Sequence, residues 1–96
     1  MRKSSTQPLK GIIREYIAAL GHQQKLKEVN LIVSWEAIAG RMVARHTQKI
    51  YVKNKVLYVY LNSAVLRNEL LMMRDDFIHK INEHAGSETI QKIVFR

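Results

Sequence analysis

The stretch that decides the fold is 49–61, Lys-Ile-Tyr-Val-Lys-Asn-Lys-Val-Leu-Tyr-Val-Tyr-Leu. Its hydrophobic period is two: Ile50 and Val52 alternate with Lys49, Tyr51 and Lys53, and Leu57, Val59 and Leu61 alternate with Val56, Tyr58 and Tyr60. That is the pattern of two half-buried strands. The break falls at Asn54-Lys55. Asn tolerates positive φ, so a two-residue hairpin turn is expected there, although Lys is a poorer second residue than Gly.

The register follows from the pattern. A two-residue loop pairs Lys53 with Val56, Tyr51 with Tyr58 and Lys49 with Tyr60, and on the other face Val52 with Leu57 and Ile50 with Val59. One face is then wholly apolar and the other is basic and aromatic. A three-residue loop would set Ile50 against Tyr58 and mix the faces, and a one-residue slip turns a whole strand over. The two-residue loop is therefore expected, unless a bulge intervenes.

The hairpin lies inside an acid-free window. Between Ala37 and Asn68 there is no Asp or Glu, whereas six basic residues fall there: Arg41, Arg45, Lys49, Lys53, Lys55 and Arg67. All eight acidic residues lie outside it, and three of the four tyrosines lie inside.

Outward from the hairpin the period changes to that of helices. Leu9, Ile12, Ile13, Tyr16, Ile17 and Leu20 predict a first helix over 8–20, with Pro8 in its first turn and Gly21 after its end. A second is predicted over about 24–39, with Leu26, Val29, Val33, Ala37 and Gly40 as its stripe, Ile32, Trp35 and Ile38 widening it, and Gly40 ending it. Segment 41–47 reads as a loop with at most one helical turn. Asn62 or Ser63 caps a long third helix whose seam is Leu66, Leu70, Met73, Phe77 and Ile81, and Gly86 stops it. A last strand is predicted over about 89–95, with Ile93 and Phe95 on one face and Lys92, Val94 and Arg96 on the other. The organisation is a polar basic arm, 1–7, and one α+β domain, 8–96, in the order α-α-β-β-α-β.

Composition narrows function. The 96-residue chain has a formal net charge of +8, 47% hydrophobic residues and no cysteine. One core is within reach of this length. The basic balance favours polyanionic partners. Disulfides, thiolate zinc sites and thiol nucleophiles are excluded. The polar start lacks a secretory h-region and no apolar run is long enough to span a membrane, so a soluble cytoplasmic protein that does not bind membrane is expected.

Enzyme signatures are missing. His22, His46, His79 and His84 are scattered, which argues against a metal site. Asp75 and Asp76 point apart on a helix and are expected to pair with Arg74, His79 or Lys80 rather than to form an acid/base dyad. Ser63 has no base partner, and the four glycines stand alone, so no phosphate loop exists. No enzyme activity and no cofactor are expected.

The positive signal is the outward face of the hairpin. Tyrosine rings can stack on unpaired bases while lysines neutralise phosphates. The expected nucleic-acid contacts are Lys49, Tyr51, Lys53, Lys55, Tyr58 and Tyr60, with Arg41, Arg45 and Arg67 beside them and Lys92 and Arg96 extending the face from the last strand. The same residues also have a purely structural reading: tyrosine is a good strand former, cross-strand Tyr–Tyr pairs stabilise hairpins, and edge lysines block aggregation.

Trp35-x-x-Ile38-x-Gly40, Val43-Ala44-x-His46-Thr47, Val56-Leu57-x-Val59, Asn62-Ser63-Ala64 with Glu69-Leu70, Ile81-Asn82, Gly86 and Ile93-x-Phe95 together resemble the DciA family over about 9–96. The resemblance implies a KH-like α+β domain with helices covering one face of a three-stranded sheet. It also implies single-stranded DNA binding and contact with a DnaB-type replicative helicase. Two departures stand out: no Gly-x-x-Gly loop is present, and loaders of this family often carry an extension outside the globular domain, whereas the sequence stops at Arg96. The alternatives are an RNA-binding module and an adaptor whose basic face docks an acidic partner.

Overall fold

The computed structural model describes residues 11–13 and 23–96. Residues 11–13 are helical; the rest of the predicted 8–20 helix and the 1–7 arm lie outside the described residues.

The hairpin forms as its alternation requires. β1 (Thr47–Lys53) and β2 (Val56–Leu61) are antiparallel, with Lys53 opposite Val56, Val52 opposite Leu57, Tyr51 opposite Tyr58, Ile50 opposite Val59 and Lys49 opposite Tyr60. Asn54 and Lys55 both have positive φ, 54° and 63°, which is the backbone of a type I′ turn. The register then shifts at Gln48, because Thr47 rather than Gln48 sits opposite Leu61. This bulge turns Thr47 onto the same face as the buried Leu61, where strict alternation would have pointed it outward.

Between residue 23 and the sheet the chain forms α1 (Gln23–Val33), α2 (Trp35–Ala39) and α3 (Arg41–Arg45). The predicted 24–39 helix is thus divided at Ser34, although the bonds Ser34 N–H to Asn30 O and Ile38 N–H to Ser34 O, both 3.0 Å, carry the chain through the bend. The expected stripe is also corrected. Val33 is 45% exposed and Ala37 is exposed, whereas the buried positions are Leu31, Trp35 and Ile38. Two apolar stripes compete on this segment, and burial of the indole selects the one that carries Trp35. The segment read as a loop is the short α3, entered through Gly40 at φ 95°, ψ 159°, a conformation open essentially to glycine alone.

After β2 the chain enters α4 (Ala64–Met72), capped by Ser63, whose Oγ accepts from Leu66 N–H at 3.2 Å. α5 (Arg74–Ala85) follows, so the long third helix is broken at Met73. Met73 leaves helical geometry, at φ −107°, and is 47% exposed rather than part of the seam; Leu66, Leu70, Phe77 and Ile81 keep their buried places. Gly86 in the left-handed region, φ 76°, ends α5.

β3 (Lys92–Phe95) pairs parallel to β2, giving the order β1-β2-β3. The strand is shorter than the predicted 89–95. The Thr89 and Ile90 N–H groups donate instead to Asn82 Oδ1, at 2.9 and 3.0 Å, and Asn82 Nδ2 donates to the Ile90 carbonyl at 2.9 Å. A side chain on α5 satisfies this backbone, for which the sheet offers no partner, because Lys92 already lies opposite Val56, the first residue of β2.

Helices cover one face of this mixed sheet. Leu57, Val59, Leu61, Ile93 and Phe95 meet Trp35, Ile38, Leu66, Leu70, Phe77 and Ile81 in one core. Phe77 is its aromatic hinge, 6.3 Å from Trp35 and 6.0 Å, edge-on, from Phe95. The architecture is α+β, as the sequence implied.

Candidate nucleic-acid interface

The register that buries one face of the sheet presents the other as three rows. Lys53, Val56 and Lys92 form the first, and Tyr51, Tyr58 and Val94 the second. The third begins with Lys49 opposite Tyr60 and is completed by Arg96, whose N–H donates to Val59 O and whose carbonyl accepts from Leu61 N–H. Each outer strand therefore carries a cation at both ends of this face: Lys49 and Lys53 on β1, Lys92 and Arg96 at β3. The floor between them is aromatic or valine, and no acidic residue occurs in any row.

The rings are packed on one another. Tyr51 and Tyr58 stack with centroids 4.9 Å apart and planes at 16°, and Tyr51 and Tyr60 with centroids 6.2 Å apart and planes at 23°. The Lys49 ammonium lies 5.3 Å from the Tyr51 centroid and 5.4 Å from that of Tyr60. The Arg96 guanidinium lies 5.9 Å from the Tyr58 centroid. All three contacts are within cation–π range. The crowding acts on Tyr51: hydrogen bonding with Tyr60, then partial desolvation and the charge of Tyr60 and Tyr58 when ionised, raise its pKa, against an opposing pull from Arg96.

The remaining predicted contacts are not gathered on this face. Lys55 sits in the hairpin turn, half-buried, and its carbonyl accepts Gln91 N–H at 2.8 Å, tying the turn to the entry of β3. Arg41 and Arg45 lie on α3, where with Met42 and His46 they line a separate open concavity; Arg41 Nε is 3.8 Å from Glu36 Oε2. Arg67 lies on α4, half-buried, with its Nε shielded and without a hydrogen-bond partner among the described residues. Arg96 extends the face as expected, and its place over Tyr58 follows from β3 lying beside β2.

Other residues singled out by pattern have structural roles. The Trp35 Nε1–H donates to Thr47 Oγ1 at 3.1 Å, and the Thr47 hydroxyl donates to the Val43 carbonyl at 2.7 Å. His46 Nδ1 and Asn62 Oδ1 are hydrogen-bonded at 2.7 Å, beside the Asn62 N–H bond to the His46 carbonyl. Asp75 and Asp76 make none of the expected ion pairs among the described residues. They occupy the first turn of α5, where the helix dipole favours negative charge, while His79 lies 3.8 Å from Glu83. No group of three or more metal-ligating side chains occurs among the described residues, and no described helix is long and apolar enough to cross a membrane.

A small mixed sheet with helices on one face and a basic, tyrosine-lined opposite face is the class of domain in hand. Residues 8–95 match the family model described as Dna[CI] antecedent, DciA, and the chain belongs to that family. Among curated proteins it is similar to a UPF0232 protein of Mycobacterium bovis (strain BCG) and to one of Mycobacterium tuberculosis (strain H37Rv), each 24% identical over 87 residues. Those matches take in 91% of the chain but 46% of each relative, so the chain spans about half the length of the curated relatives it matches.

Proposed function

We propose that this domain is a non-enzymatic nucleic-acid-binding module that engages single-stranded DNA on its open sheet face, in the service of a DnaB-type replicative helicase. Membership of the DciA family supports the replication role. The observation that carries the binding reading is the outward face itself, where Lys49 lies over Tyr51 and Tyr60, Arg96 lies over Tyr58, and Tyr51 stacks on both other rings, with Lys53 and Lys92 at the other end of the outer strands. Such a face draws a phosphate chain and repels nothing along it.

The test is a titration of a labelled single-stranded oligonucleotide at several salt concentrations. Four phosphate contacts, one for each of Lys49, Lys53, Lys92 and Arg96, give a log–log slope of about −3 for a single strand. Binding with no salt dependence, or none at low salt, would remove the proposal. A matched RNA competitor decides between DNA and RNA. Capture of the helicase that survives nuclease treatment, combined with no oligonucleotide binding, would make the face a protein-docking surface instead.

A further inference from the structure

The rings on this face are already engaged. Tyr51 has Tyr58 and Tyr60 as stacking neighbours and Lys49 within cation–π distance; Tyr58 has Tyr51 and Arg96; Tyr60 has Tyr51 and Lys49. A base that stacks between these rings, or where Lys49 or Arg96 lies over them, must displace a ring or a cation. A phosphate displaces neither, because an ammonium or guanidinium held over a ring still has donors to present outward. Ring contact also restrains long, rotamer-rich Lys and Arg side chains before any ligand arrives, so less ordering remains at the moment of binding. β1 and β3 flank β2, which sets the two basic strands about 10 Å apart, and the two cations of one strand are about 13 Å apart along it. The four positive groups thus frame the face and meet different phosphates of one chain.

We propose that the tyrosine array is a positioning platform for Lys49 and Arg96 rather than a stacking surface for bases, so that the site recognises the sugar-phosphate backbone of a single strand and is indifferent to its bases. The inference rests on the nucleic-acid reading of this face and names the part of the ligand that is read.

The experiment compares an oligodeoxythymidylate of about 12 nucleotides, within the site sizes of such surfaces, with an abasic strand of equal length and phosphate count, at the same low salt. The expected result is affinities within about threefold of each other. One stacked base would by itself make the abasic strand at least about fivefold weaker, and several would multiply that. An abasic strand bound about fivefold or more weakly, with the ordinary strand still bound, overturns the inference and leaves the nucleic-acid reading standing. Binding of neither strand removes both. In Tyr58→Leu, which unpins Arg96, affinity for the two strands falls by the same factor; a loss confined to the base-bearing strand, or no loss for either, overturns the positioning role. The comparison of the two strands on the unaltered protein stands whether or not this variant folds.

Discussion

The Trp35 indole N–H and the Thr47 hydroxyl, 3.1 Å apart, join the second helix to the first residue of the sheet. The bond exists because the bulge at Gln48 turns Thr47 to the core side, and Thr47 passes the connection on to the Val43 carbonyl at 2.7 Å. Three elements meet at one hydroxyl. Trp35, Val43 and Thr47, conspicuous as a sequence pattern, are one joint in space.

Thr47→Val keeps the shape of the side chain and removes that hydroxyl. The indole N–H then loses its partner in a part-buried setting, while the Val43 carbonyl keeps only the His46 N–H at 3.2 Å; the loss costs about 1–3 kcal/mol. Urea unfolding should show a lowered midpoint with an unchanged slope. A midpoint equal to wild type would mean that water takes over both groups.

Lys55 holds a left-handed conformation, φ 63°, that glycine adopts freely. Lys55→Gly should stabilise the hairpin by about 0.5–1 kcal/mol, because Asn-Gly is the preferred pair for this turn. If Lys55 also meets a phosphate, the salt slope of single-strand binding becomes shallower by about 0.7. Thermal unfolding and the salt titration read the two effects separately, and the first is expected whatever the second shows.

Asn82 serves three backbone groups of 89–90, in a segment where Thr89 and Ile90 are fully buried. Asn82→Ala leaves them without that partner and should destabilise the protein by at least about 3 kcal/mol, given a penalty of about 1–3 kcal/mol for each unsatisfied buried group. Hydrogen exchange should quicken first at Thr89, Ile90 and the adjoining β3, before the β1–β2 hairpin opens. Uniform acceleration across the sheet would count against a local role for Asn82.

Hydrogen bonding with Tyr60 leads the causes that raise the Tyr51 pKa. The sign follows from linkage: a raised folded-state value means that the unfolded chain loses this proton first as pH rises. The contribution is present below the unfolded value of about 10 and is lost as pH climbs through the folded one. Wild-type stability should therefore fall more steeply above about pH 10 than that of Tyr51→Phe. Tyrosinate absorbance, wild type minus variant, should show the Tyr51 transition displaced to alkaline pH; a transition at or below the usual phenol value would contradict the packing of these rings.

How far the sequence reaches is clearest by comparing these sites. Residues 49–61 alone determined the hairpin, its register, its turn and the division into a core face and a basic, aromatic face. The reason is local: strand alternation has a period of two, and only a two-residue loop keeps the apolar sets together. Ser63 and Gly86 were legible for a similar reason, since a cap hydroxyl and a left-handed stop act within a few residues. Tertiary structure decided what local chemistry leaves degenerate. The segment 24–39 offers two apolar stripes, and only packing against Phe77 and the sheet selects Leu31, Trp35 and Ile38. The start of β3 depends on the parallel pairing that sets Lys92 opposite Val56, the first residue of β2. The cation over Tyr58 depends on β3 running parallel beside β2, which places Arg96 next to a ring far from it in the chain. Alternation and the short turn told which side chains of the hairpin leave the core together; only long-range pairing with β3 determined which of them Lys92 and Arg96 join.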